Sequence, residues 1–418
     1  MNTLPTQDFN RQRNRALAGY LELLARRCDP SEEMQNLIKK HYEEKTGDFR
    51  SCELLHEYSI ELAAQGSNSI GTVTPPLDRP GGEIDLDMIV IVQALRSLLE
   101  ARELHRRVGR HLEAFYKPRV EKLRLGWSID YAKEHKFHFD VIPVIPLSHP
   151  TAGMMFGATL PERNTYKHTN PREYQRRFLE AARILPVITE DTEYFAINEG
   201  MVALANRAHD LIVSPLLPED AVLRHPLQRV IQISKMFRDV WFYRNSGLSR
   251  KTPSIVVTTL LWLGYEKRIA RRTFATILDV LQTIVDALTD PAILRVEENR
   301  EGRRFYLMNP TVPDENLVAR WNEPGQSDRA DEFFAWSREL QAFVRQLRRL
   351  EGSHRIQALL ENNLGEPRVR PLFNEIAGGL TPTCSRPTVV FDSHQGLRTG
   401  TPALGVIAAT THTHHGIF

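Results

Sequence analysis

Glu83-Ile84-Asp85-Leu86-Asp87-Met88 is the stretch on which the reading of this chain turns. Acidic and aliphatic residues alternate strictly, the pattern of a half-buried strand. Residues two apart on a strand share a face, so Asp85 and Asp87 stand side by side while Ile84, Leu86 and Met88 point into a core. Two carboxylates a few ångströms apart repel by up to about 4 kcal/mol at a surface-like dielectric. A divalent ion offsets that repulsion, and hard oxygen ligands suit Mg²⁺ or Mn²⁺. Alone, such a pair is more often the polar face of an edge strand.

Two neighbouring segments change that balance. Upstream lies Gln65-Gly66-Ser67-Asn68-Ser69. Gly66 permits close backbone approach to a ligand. Ser67 and Ser69 offer donors at what reads as a helix N-terminus, a natural phosphate site. Downstream, Phe137-His138-Phe139-Asp140-Val141-Ile142 is a second alternating strand, which Pro143 and Pro146 are expected to stop. It places Asp140 and His138 on one face. If this strand pairs beside the first, three carboxylates converge, as two-metal nucleotidyl transfer requires. Asp85 and Asp87 would then bridge two ions, and Asp140 would hold the ion on the side of the attacking hydroxyl.

Outward from this centre, residues 9–64 read as helical, with a break and fresh start at Asp29-Pro30-Ser31-Glu32. Val73 reads as the start of a short strand, and residues 92–114 as a long amphipathic helix. From Pro215 onward the pattern is almost all helical, over 225–243, 252–265, 270–289 and 331–351. The expected class is α+β: N-terminal helices and a catalytic palm over 1–215, a helical lobe over 216–378, and a flexible tail over 379–418. The tail has too few large apolar groups to offset ordering entropy.

Composition sets the outer bounds. The 418 residues exceed one compact core. A net charge of +2 does not announce a large nucleic-acid surface. Three scattered cysteines, Cys28, Cys52 and Cys384, suit neither a disulfide framework nor a zinc site, and a reducing cytoplasm is the expected setting. The apolar run Ile255 to Tyr265 is too short to span a bilayer and reads as a buried helix.

The set Gly66-Ser67, Asp85-Leu86-Asp87 and Asp140 resembles the signature of the DNA polymerase β-like nucleotidyltransferase superfamily. More narrowly, the chain resembles the bacterial cGAS/DncV-like nucleotidyltransferases (CD-NTases), which make cyclic oligonucleotide signals in anti-phage defence. The segments carrying that resemblance are Gln65 through Val73, Tyr166 to Tyr174, Pro226 through Asp239, Lys251 through Leu260, and Asn309-Pro310 with Glu315 through Trp321. Met236-Phe237 and Asn68-Ser69 depart from the family's pattern. The resemblance implies a polymerase β-like palm and a helical lobe. It implies synthesis of a cyclic di- or trinucleotide from nucleoside triphosphates, ATP or GTP foremost, with two Mg²⁺ or Mn²⁺ ions. It also implies a separate effector that receives the product, and operon-encoded regulators acting on the C-terminus. The competing enzyme reading adds nucleotides to RNA or AMP to a protein.

Within the helical lobe, Gln228, Gln232, Lys235 and Asp239 share one face of an amphipathic helix. That face reads either as solvated or as lining a nucleotide cleft with Lys235 on phosphate. Thr252 and Pro253 read as N-cap and N1 of the next helix, with Ser254 at a second anion site. The nucleotide-binding set is therefore Gln65, Gly66, Ser67, Lys235 and Ser254, and the catalytic and metal-holding set Asp85, Asp87 and Asp140. His138 is expected to face the metals, as a ligand or, in the favoured reading, from behind the ligands or in contact with a base.

Overall fold

A computed structural model of the chain describes residues 14, 17–75, 77, 84–131, 137–149, 153–189, 224–270, 272–300, 302–378, 389–392 and 396–399. Seven strands make the central sheet: β1 (Ile60–Gln65), β2 (Ile84–Val92), β3 (Val120–Lys122), β4 (Trp127–Asp130), β5 (Phe137–His149), β6 (Gly153–Leu160) and β7 (Thr165–Thr169). Their order is β1-β2-β5-β4-β3, with β6 on the far half of β5 and β7 beside β6. β2 and β5 run parallel and the other pairs antiparallel, so the sheet is mixed.

The alternation in β2 sets the two faces. Leu86, Met88, Val90 and Val92 enter a core with Phe137, Phe139 and Val141. The helices α2 (Glu32–Arg50) and α4 (Ala101–Tyr116) close that core through Ile38, Tyr42, Phe49, Leu104, Val108 and Leu112. Ile89 and Ile91 lie on the opposite face with Val144, Phe156 and Ala158. Asp85 and Asp87 share that second face by parity, at the end where the apolar cover stops.

The chain before the sheet splits between two cores. α1 (17–26) packs Leu17, Leu21 and Leu24 into the helical lobe, whereas α2 belongs to the palm. The break falls where the sequence places it, with Ser31 accepting from the Met34 amide as N-cap. The lobe itself comprises α6 (Pro226–Asn245), α7 (Ser254–Ile269), α8 (Ile277–Val285), α9 (Asp328–Arg349), α10 (Ser353–Leu360) and α11 (Glu366–Gly378); α3 (Gly66–Ser69) and α5 (Pro171–Ala182) flank the palm.

α1 and α6 are joined by a buried polar cluster. Arg229 donates to Glu22, to Asp29 at 2.8 Å and to Gln232 at 2.9 Å. Gln232 in turn donates to Asp29. Removing one member of a buried charged set strands the others. Arg229→Met is therefore expected to cost about 2–4 kcal/mol in urea unfolding. An unchanged midpoint would mean that Arg224, 3.6 Å from Asp29, neutralises it alone.

Several expectations are corrected. Residues 60–65 are strand rather than helix, because antiparallel pairing with β2 overrides their helical spacing. Residues 92–114 are not one helix: β2 continues to Val92, and α4 starts only at Ala101. The run Met88-Ile89-Val90-Ile91-Val92 is covered on both faces, which removes the alternation that would have marked it as strand. β5 passes through Pro143 and Pro146. Pro143 sits between the last β4 pair at Val141 and the first β6 pair at Val144, where that edge has no partner strand. Residues 72–75 form no strand. In the lobe, the helix expected over 270–289 begins at Ile277, and two hairpins, Arg295–Asn299 with Gly302–Tyr306 and Met308–Asn309 with Val312–Asn316, interrupt the helices.

Most of the run expected to be buried in α7 is so, with Val256, Val257, Leu260, Leu261 and Trp262 fully covered, but its first residue, Ile255, is exposed at the cavity. No helix among the described residues is long and apolar enough to cross a membrane. Cys28 and Cys52 are free and buried; Cys384 lies outside the described residues. Within 379–418, Val389–Asp392 pairs with Gly396–Thr399, and the remainder of the expected tail lies outside the described residues.

Candidate active site

The β2–β5 register brings the three acids together. Asp87 is opposite Asp140, and Asp85 is opposite His138. On the other side of β2, Asp87 is opposite Gln65, the last residue before the Gly66-Ser67 turn. β4 adds Ser128 opposite Asp140, and its hydroxyl donates to the Asp140 carboxylate at 2.6 Å. From behind, Tyr42 donates to the Asp87 carbonyl at 2.8 Å, fixing the backbone that carries the carboxylate.

Gly66 is demanded twice over. Its φ is +73°, a conformation costly for other residues. A Cβ there would also lie 1.9 Å from Asp87 Oδ2. The close approach expected of Gly66 is thus made to the acid itself. Ser67 faces the cavity, and its carbonyl accepts from the Thr72 amide. The Ser69 hydroxyl instead turns back to the Gly66 carbonyl at 2.9 Å, so Ser69 closes the turn.

The polar face of α6 is neither solvated nor simply open to a ligand. Gln228, Gln232 and Lys235 are all buried. They donate to the carbonyls of Ile70, Val73 and Thr72 respectively, at 2.9, 3.0 and 3.0 Å. This ladder clamps the loop that leaves the Gly66-Ser67 turn. Gly71 suits this loop because its φ of +66° is a conformation costly for other residues. Lys235 also donates to the Thr72 hydroxyl and borders the cavity. Burial, aided by Arg238, pushes its ammonium down to about 7.

Asp85, Asp87, Asp140, Gln65, Gly66, Ser67, Lys235 and Ser254 all line one cavity of about 410 Å³. His138 is absent from that lining; it sits 3.6 Å from Asp130 on β4. α7 begins one residue later than expected, with Pro253 as N-cap and Ser254 as first residue. The Ser254 hydroxyl accepts from Arg238 at 3.1 Å. Lining residues that the sequence reading gave no site role are Ile70, Thr169, Asn170, Pro171, Tyr174, Ile255, Thr258, Asn309 and Glu315. Asn170, the N-cap of α5, is buried with an Nδ2 that has no hydrogen-bond partner. Asn309 donates to Glu315, which Lys167 of β7 also holds, at 2.5 Å. All of these lining residues lie in segments that carry the family resemblance; their place in the lining is what periodicity does not reveal.

Electrostatics at the acids fit a cation. Burial, then Asp140 and Asp85, push the Asp87 carboxyl up to about 7. Asp140 is raised as well, chiefly by burial and against the Ser128 hydrogen bond. Asp87 and Asp140, both raised with Asp85 among the causes, make with it an oxygen donor set short of positive charge. Among the described residues no three His, Cys, Asp or Glu side chains close into a ready cage.

An acid-bearing mixed sheet facing a helical lobe across one cavity is the architecture of cGAS/DncV-like nucleotidyltransferases, and the chain has that fold. It superposes on the CD-NTase CdnG from Bradyrhizobium diazoefficiens, solved with GTP, at a TM-score of 0.61 and 17% identity over 86% of this chain and 99% of that one. It superposes on CdnC from E. coli MS115-1, solved with ATP, at 0.56 and 11% identity over 84% and 98%. In sequence, 271 residues are 28% identical to a c-di-GMP synthase from Roseivirga ehrenbergii, covering 63% of this chain and 61% of that protein. The match thus spans about three fifths of the relative's length. No protein-family model matches the chain.

Proposed function

We propose that this protein joins nucleoside triphosphates into a cyclic di- or trinucleotide, releasing pyrophosphate at each bond formed. The observation that carries the reading is the pairing of Asp87 with Asp140 beside Asp85, in the same cavity as Ser67, Lys235 and Ser254. Asp85, Asp87 and Asp140 would hold two Mg²⁺ or Mn²⁺ ions. Bound there, the ions would acidify an attacking ribose hydroxyl and neutralise departing pyrophosphate. The other residues position. Ser67, with Gly66 giving its backbone room, binds phosphate at the acid end. Lys235, already fixed on Thr72, has a remaining N–H for the polyphosphate, and Ser254 donates beside it. Asn170 and Tyr174 line the same cavity, and Tyr174 offers an aromatic wall for a base. Catalysis on this scheme is orientation plus charge neutralisation.

Relatives solved with GTP and with ATP, and one named a c-di-GMP synthase, support purine triphosphates as substrates. We further propose a cytoplasmic setting, a separate effector for the product and regulators acting at the C-terminus. The test is incubation with labelled ATP, GTP, CTP and UTP plus Mg²⁺ or Mn²⁺. Phosphatase-resistant product that disappears in Asp85→Ala is expected. An elongating ladder, or equal synthesis by Asp85→Ala, would overturn the proposal.

A further inference from the structure

The loop that leaves the Gly66-Ser67 turn is held from one more place than α6. Arg368, on α11 at the far end of the chain, donates to the Pro75 carbonyl. The same guanidinium stands 3.7 Å from Asp239. Asp239 is buried and also meets Arg238 at 3.0 Å and Lys251 at 3.3 Å. Arg238 then donates to the Thr252 carbonyl and to the Ser254 hydroxyl in the cavity wall. One helical turn before Arg368, Gly365 at φ +98° lets the backbone press on Leu77; a Cβ would lie 2.7 Å from its Cδ1. α11 and the residue before it therefore hold Pro75 and Leu77 on one side and, through Asp239 and Arg238, reach the start of α7 on the other.

We infer that Arg368 is a positioning residue for the phosphate end of the cavity, coupling the last described helix to both the 70–75 loop and Ser254. The inference rests on the nucleotide reading of the cavity and deepens it. Asp239 is a single carboxylate among Arg238, Lys251 and Arg368. Its orientation is a balance of three pulls. Losing Arg368 lets Asp239 and Arg238 shift toward Lys251, and Ser254 moves with them. It also frees the Pro75 end of the loop whose other end fixes Ser67. Such shifts act on ligand geometry, where about 1 Å costs up to 100-fold.

The experiment compares the full chain with Arg368→Gln and with Arg370→Gln. Arg370 lies on the same helix but pairs outward with Glu361 and Glu366. For Arg368→Gln, the KM for the triphosphate and the Kd of Mg·GTP by titration calorimetry are expected to rise about tenfold, with kcat within about threefold. Arg370→Gln is expected to match wild type. A purely structural role would lower kcat with the folded fraction and leave KM and Kd unmoved; that result overturns the inference. If Arg368→Gln does not fold, Arg368→Met is read the same way, since it keeps the aliphatic stem and loses both the Pro75 hydrogen bond and the Asp239 pair. A wild type that binds GTP without making product removes the synthase reading and leaves the Kd comparison to decide Arg368. A wild type that binds no GTP overturns both.

Discussion

Asp87→Asn is expected to abolish product and, in metal-free protein at pH 8, to raise thermal stability. The second half follows from the environment of the carboxyl. Burial and the neighbouring Asp140 and Asp85 place it at about 7, above the ordinary carboxylate value. The folded state then binds a proton that the unfolded state releases between about pH 4 and pH 7. Stability from this group is full below that window and falls as pH rises through it. The whole shift would be about 4 kcal/mol by linkage. Asp87 keeps partial contact with solvent, and screening brings the expected effect to about 1–2 kcal/mol. Asparagine has no charge to lose, so the variant should equal wild type near pH 4 and melt a few degrees higher at pH 8. Added Mg²⁺ should narrow the gap at pH 8 by stabilising only the wild type. Thermal melts at both pH values, with Mg²⁺ or with chelator, read all of this. A wild type that gains nothing from Mg²⁺ at pH 8 would remove the cation reading of the acids.

What was legible in the sequence was local chemistry at fixed spacing. Asp85 and Asp87 declare a shared face because a strand has period two, and Gly66-Ser67 declares a turn. The pairing that makes them a site is not local, yet Asp140 sat in a segment of the same alternating type, which is why the three could be joined. Lys235 shows the limit. Its partner Thr72 lies 163 residues earlier, and no periodicity connects them. The polar face of α6 was visible, but its use as a clamp on backbone carbonyls was not, because a carbonyl has no sequence signature. The lobe hairpins failed for a related reason. Met308–Asn309 and Val312–Asn316 are short and polar, and they are set by side-chain bonds such as Asn316 to the Phe305 carbonyl and the Leu307 amide to Asn316. Long buried runs misled in the opposite sense: a strand covered on both faces loses the pattern that distinguishes it from a helix.

Gly66→Ala is expected to remove activity as completely as loss of an acid, although it adds only a methyl group. Two independent costs coincide. A φ of +73° disfavours alanine by about 1–2 kcal/mol. The added Cβ at 1.9 Å from Asp87 Oδ2 cannot be accommodated where it stands. The carboxylate cannot swing freely, because its strand is held between β1 and β5 and its carbonyl by Tyr42. Either Asp87 turns away from Asp140, or the turn withdraws and carries Ser67 out of the phosphate end. Both break the same constellation, so a drop in kcat/KM of at least about 1,000-fold is expected, together with a loss of about 2–3 kcal/mol in unfolding. Gly247→Ala is the matched comparison. It has a similar φ of +79°, and a Cβ there meets nothing within 4 Å. That variant should show the backbone cost alone and keep its activity. If Gly66→Ala and Gly247→Ala lose stability equally and both remain active, the contact between the turn and Asp87 is not what builds the site.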